Sequence, residues 1–124
     1  MSEWPDLYPE GCPPEDAEET KGVVFHLVSD DPMPKSDLYD TAYHRKSFTN
    51  LEECKRVSLS CYRDEEDLKQ TRDTVPRLSD RKIARAELAP EYGKIKQTFT
   101  PSHHSLWIRD EYYDDANEWF EVKE

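Results

Sequence analysis

Residues 22–28 read GVVFHLV, and no other stretch of the chain stays apolar for as long. A run that is apolar at successive positions cannot be the half-wet strand of an open sheet. It has to be covered on both faces, which makes it a central strand and obliges the rest of the chain to build a sheet around it. His26 is the one polar side chain within it and must find a hydrogen-bond partner or destabilise the core. Two readings stay open for it: a core histidine satisfied by a backbone carbonyl, or a side chain presented from a central strand into a cleft.

The material available for such a sheet is limited. Of 124 residues, 35% are hydrophobic and 36% charged, which allows one domain with a small core. Seven tyrosines, four phenylalanines and three tryptophans supply the bulk that excludes disorder. The order of apolar patterns gives the fold class. "VSLSCYR" (57–63) alternates, with Val57, Leu59 and Cys61 on one face and Ser58, Ser60 and Tyr62 on the other. "DEEDLKQTR" follows at once as a helix with Asp64 as N-cap. Ser36 is positioned to cap an earlier helix through "SDLYDTAYHRK", and Thr49 with Glu52 makes a capping-box pattern for a short turn. "KIARAEL" and "GKIKQTF" flank the turn "APEYG"; "HSLWI" and "EWFEV" complete the strands. The expectation is an α+β single domain over 22–124, with a mainly antiparallel sheet of five to six strands and two or three short helices. Residues 1–21, with their four prolines and many acids, are expected to form an irregular arm pinned by Trp4, Leu7 and Tyr8.

Charge narrows the classes of function. Residues 1–31 carry nine acids against Lys21, net −8, and 110–124 carry seven acids against Lys123, net −6. Residues 32–109 hold fifteen Lys/Arg against twelve Asp/Glu, net +3. Clustered positive surface is what nucleic-acid binding needs, so this distribution argues against it. It leaves room for a basic pocket for a small anion, and for acidic ends that attract a basic protein partner, beside their ordinary role in solubility. No apolar run is long enough for a membrane span and no signal-peptide pattern opens the sequence. Cys12, Cys54 and Cys61, odd in number and without a CxxC, read as reduced thiols of a cytosolic protein, with Cys61 in the core.

The strong short motifs of nucleotide, hydrolase and metalloprotease sites are missing, and no His/Cys/Asp group has metal-ligand spacing. The adjacent His103 and His104 of "SHHSLW" point to opposite sides of a strand: His104 with Leu106 and Ile108, His103 with Ser105 and Trp107. The aromatics Tyr112, Tyr113, Trp119 and Phe120 read first as packing of a last strand and second as a partner-binding patch.

"VFHLV" followed by "SLSCYRDEEDL" resembles the first two motifs of the ADP-ribosyltransferase superfamily, in its His-Tyr-Glu branch. The resemblance implies that His26 meets the ribose of NAD and that Tyr62, with Ser60 beside it, meets the nicotinamide. It also implies that Arg45 or Arg63 meets the pyrophosphate. No glutamate stands clearly in the place of the third motif. Glu111 and Glu118 lie nearest, and His103 and His104 occupy that neighbourhood. The chain is also similar, through "VSLSCYRDEED", "GKIKQT" and "HHSLW", to small bacterial proteins of uncharacterised activity. Taken together these imply an NAD-binding domain of a bacterial toxin or phage-defence system, active or degenerate. The other expectation is a non-enzymatic interaction protein acting through its acidic ends.

Overall fold

The structure, a computed structural model, describes residues 3–46 and 52–123. It is an α+β single domain built on one antiparallel sheet of seven strands: β1 (Glu18–Glu19), β2 (Gly22–Val28), β3 (Leu59–Tyr62), β4 (Lys82–Leu88), β5 (Gly93–Gln97), β6 (His103–Ile108) and β7 (Glu121–Val122). The strands lie in the order β1-β5-β6-β3-β2-β4-β7. Three short α-helices accompany them: α1 (Glu53–Arg56), α2 (Glu65–Thr74) and α3 (Asp110–Tyr113). The fold class is the expected one. The strand not expected is the two-residue β1 at one sheet edge, in the arm, too short to leave a period-2 pattern in the sequence.

The apolar run is an interior strand as its composition requires. β2 pairs with β4 along its whole length, from Gly22 opposite Leu88 to Val28 opposite Lys82. Its pairing with β3 registers at one position, Phe25 opposite Tyr62. β3 in turn pairs with β6, Leu59 opposite Leu106 through Tyr62 opposite His103. Val24, Val28, Cys61, Ile83, Ala84, Leu106 and Trp107 are fully buried along these strands. Trp107 donates its indole N–H to the Cys54 carbonyl at 2.9 Å, satisfying the polar atom of the largest buried side chain. Gly93 is fixed by a close approach: a Cβ there would lie 1.9 Å from the Trp107 carbonyl oxygen across the β5–β6 pair.

Asp64 caps α2 as expected, accepting from the backbone N–H groups of Glu66 and Asp67. The helix expected from Ser36 is instead a five-residue 3-10 segment, Lys35–Tyr39, preceded by Pro34 and without a side-chain cap. Asp37 there accepts from the N–H and hydroxyl of Ser29, so the segment is tied to the end of β2 and not extended as an α-helix. The Thr49 capping box lies outside the described residues. "EWFEV" contributes only β7 as strand; Ala116–Trp119 is a 3-10 turn that buries Ala116, with Phe120 buried just beyond it.

The acidic arm is largely irregular yet firmly attached. Tyr8 accepts from the Ile108 N–H, Trp4 lies under the Arg109 guanidinium, and β1 pairs with β5. Cys12 and Cys54, 42 positions apart, form a disulfide. This corrects the reading of three reduced thiols, and the argument from thiols to a cytosolic compartment falls with it. Spacing alone could not reveal the pair, because the contact depends on the arm crossing back to α1. Cys61 is the free cysteine, buried as expected, its thiol pushed up to about 12 by desolvation. Among the described residues no helix is long and apolar enough to cross a membrane.

Candidate functional site

The register of β3 against β6 puts Tyr62 opposite His103 and Ser60 opposite Ser105, on one face of the sheet. α2 lies against this side, presenting Leu68 and Thr71. Between them, bordered by the 3-10 segments after β2 and after α2 and by Lys55 of α1, is a cavity of about 420 Å³. That is within the range of small-molecule sites. His26, Arg45, Ser60, Tyr62 and His103 all line it.

His26 is in phase with the core residues Val24 and Val28, but its ring turns across to β3. There its Nδ1 sits 2.5 Å from the Ser60 carbonyl oxygen. A carbonyl can only accept, so Nδ1 carries the proton and Nε2 keeps its lone pair. Desolvation is the main influence on the ring and pulls its pKa below the ordinary histidine value. The Ser60 carbonyl and the carboxylates Asp37 and Asp40 act the other way. Both sequence readings of His26 hold at once: its Nδ1 is satisfied by a backbone carbonyl, and the ring lines the cavity.

His103 repeats the arrangement. Its Nδ1 lies 2.9 Å from the Thr98 hydroxyl and 3.2 Å from the Thr98 carbonyl, and the same hydroxyl meets Ser105 Oγ at 3.0 Å. Burial again lowers the imidazole pKa. Tyr62 packs edge-on to this ring with centroids 5.2 Å apart, and Thr71 Oγ1 stands 3.4 Å from its phenol. The site therefore offers two neutral imidazoles and a phenol, a set suited to accepting from and donating to a polar ligand near neutral pH.

The electrostatics of the cavity run against those of the chain. Arg45, Lys55, Arg77 and Arg81 line it, against Asp37 and Asp40, in a protein of net charge −11. Asp40 pairs with both Arg45 and Arg81 at 3.3 Å, and Asp37 lies 3.9 Å from Arg81. Among the described residues Lys55 and Arg77 have no carboxylate partner. They give the cavity positive charge available to an anion.

Four of the residues weighed for the site in the sequence lie elsewhere. His104 is opposite Cys61, on the other face of β6, with its Nδ1 on the Ser102 carbonyl at 3.0 Å; strand alternation separates it from His103. Arg63 donates to the Lys21 and Val23 carbonyls at 2.8 and 3.1 Å, which ties β3 to the start of β2 and keeps the guanidinium out of the cavity. Glu111 and Glu118 do not line it either. The sequence reading missed Lys55, Arg77, Arg81 and Phe99, which reach the cavity from three separate connections, β2–β3, α2–β4 and β5–β6, and share no local pattern. Ser105 was placed on the correct face by alternation. Among the described residues no group of three His, Cys, Asp or Glu is arranged to hold a metal ion.

Comparison with protein-family models, with curated proteins and with solved structures finds no match to the chain.

Proposed function

We propose that this domain binds a small anionic ligand that carries a planar ring, a nucleotide of the NAD type, in the cavity between β2, β3, β6 and α2. The observation that carries the reading is one juxtaposition. Five side chains nominated by the resemblance to ADP-ribosyltransferases line the same cavity as Lys55 and Arg77, two cations without a carboxylate partner among the described residues. In this reading Lys55 and Arg77 meet the pyrophosphate, a role the resemblance assigned to Arg45 or Arg63. Arg45 is engaged by Asp40, and Arg63 by backbone carbonyls. His26 and Ser60 meet the ribose, and Tyr62 with His103 borders the ring.

The same geometry favours binding over turnover. Cleavage at the anomeric carbon builds positive charge on the sugar, which a free carboxylate has to stabilise. The carboxylates lining this cavity are Asp37 and Asp40. Asp37 is committed to Ser29 and Arg81, Asp40 to Arg45 and Arg81. Calorimetric titration of NAD tests the proposal. Wild-type protein is expected to bind, Arg77→Glu to bind at least about tenfold more weakly, and no nicotinamide to be released on incubation. Absence of binding to the wild type contradicts it.

A second reading, recognition of a basic protein, is favoured by one surface feature. Tyr92 stacks on Trp119 with centroids 3.9 Å apart, Tyr112 lies against both rings, and Glu91 and Glu111 are close to Tyr112. Among the described residues, none of 3–21 or 110–123 lines the cavity, so the two readings do not compete for one site. Quenching of tryptophan fluorescence by polylysine, relieved by salt and lost in Trp119→Ala, is the expected sign of this second activity.

A further inference from the structure

Phe99 is the most exposed large hydrophobic residue of the described chain, at 62% of its surface, and it lies on the rim of the cavity. Its backbone is left-handed, with φ +62°. Either property alone disfavours phenylalanine at this position. A left-handed residue with a bulky side chain is strained, which is why glycine or asparagine is the usual occupant. An exposed ring gains little from the hydrophobic effect in return. The conformation is imposed from both sides: the Thr98 N–H donates to the His103 carbonyl at 2.9 Å, the His103 N–H to the Thr100 carbonyl at 3.1 Å, and the Thr98 side chain is buried against His103 and Ser105. Folding therefore requires a left-handed residue at 99 but gives no reason for an aromatic one.

The neighbours of the ring supply a reason. Phe99 stands edge-on to His103 at 5.1 Å, and the Lys55 ammonium lies 5.7 Å from its centroid. The mouth of the cavity thus presents an aromatic ring directly beside a cation that has no carboxylate partner among the described residues. We propose that Phe99 is a ring-stacking residue: it lies against the planar ring of the bound ligand while Lys55 meets the adjacent negative charge, and it is held at a cost to the stability of the free protein. Strained backbone at the edge of a site, fixed by surrounding hydrogen bonds, is the usual form of such a compromise. The inference rests on the cavity being a ligand site and goes further, since it names a residue that selects for ligands joining a planar ring to an anionic group.

The test exploits opposite signs. Phe99→Asn places a residue that tolerates left-handed backbone, and Phe99→Trp keeps a stacking face. Thermal unfolding of the free proteins is measured beside binding of NAD and of 8-anilinonaphthalene-1-sulfonate, an aromatic anion unrelated to nucleotides. The expected result is that Phe99→Asn unfolds no lower than wild type, up to roughly 3 °C higher. It should also bind NAD at least about fivefold more weakly, and Phe99→Trp should restore affinity. Unchanged affinity in Phe99→Asn, or a midpoint more than about 2 °C below wild type, overturns the inference by making Phe99 a bystander or a folding residue. If the wild type binds the naphthalene sulfonate but not NAD, and Phe99→Asn loses the dye, the nucleotide reading falls and ring stacking stands. A wild type that binds neither overturns both.

Discussion

Tyr62 and His103 face each other across β3 and β6, their rings nearly perpendicular at 88° and their centroids 5.2 Å apart. This pair joins β3 to its neighbour β6 on the cavity side, beside Ser60 and Ser105. An edge-to-face aromatic contact contributes about 0.5–1.5 kcal/mol beyond the area it buries. A double-mutant cycle with Tyr62→Leu and His103→Leu should return a coupling energy in that range from urea unfolding. Additive effects would show that the rings are neighbours without an energetic link.

The two cavity histidines set an acid limit on stability. Both have folded-state pKa values lowered by burial, so as pH falls through the free-histidine value of about 6.5 the unfolded chain takes up protons first. Unfolding free energy should therefore decrease from pH 7 to pH 5, before most carboxylates titrate. His26→Gln and His103→Gln should each flatten the slope in that window, relative to wild type, in denaturant titrations at fixed ionic strength. An unchanged slope in both variants would contradict the assignment of neutral, desolvated imidazoles.

The disulfide should be a major stabilising element. Cross-linking positions 42 apart removes chain entropy from the unfolded state worth about 4 kcal/mol. Reduction, or Cys12→Ser with Cys54→Ser, should lower the urea midpoint accordingly, while Cys61 stays unreactive to thiol reagents until the protein unfolds. Loss of less than about 1 kcal/mol would mean that the contacts of Tyr8 and β1 hold the arm without the covalent link.

The N-cap of α2 is a smaller, local test. Asp64→Ala removes the acceptor for two backbone N–H groups and should cost about 1 kcal/mol. Asp64→Asn should retain most of that stability. Because α2 forms one wall of the cavity, the alanine variant should also weaken ligand binding through loss of order in Leu68 and Thr71.

What the sequence revealed, and what it hid, follows from how far each signal extends along the chain. β2, β3, β4, β5, β6 and α2 are each defined by a continuous signal, an unbroken apolar run, a pattern of period 2, or a cap and a first turn, and they lie where the residues place them. The face shared by Ser60, Tyr62, His103 and Ser105 was likewise legible, because alternation within two strands decides it once they pair. The failures are non-local. The Cys12–Cys54 bridge depends on the path of the arm. The capture of Arg63 by the Lys21 and Val23 carbonyls depends on how β3 meets β2. Arg77 and Lys55 come to line one cavity only after α1 and the segment after α2 have folded against it. Thr98, the partner of both His103 and Ser105, carries no local signal that marks it.

The most direct measurement is thermal unfolding with and without millimolar NAD, made on wild type and on His26→Ala. A ligand that binds only the folded state raises the midpoint by an amount set by its concentration over Kd. A rise in the wild type that disappears in a folded His26→Ala protein is the predicted result, and it places the nucleotide at the β2–β3 junction. No rise in the wild type, or an equal rise in both, contradicts the account.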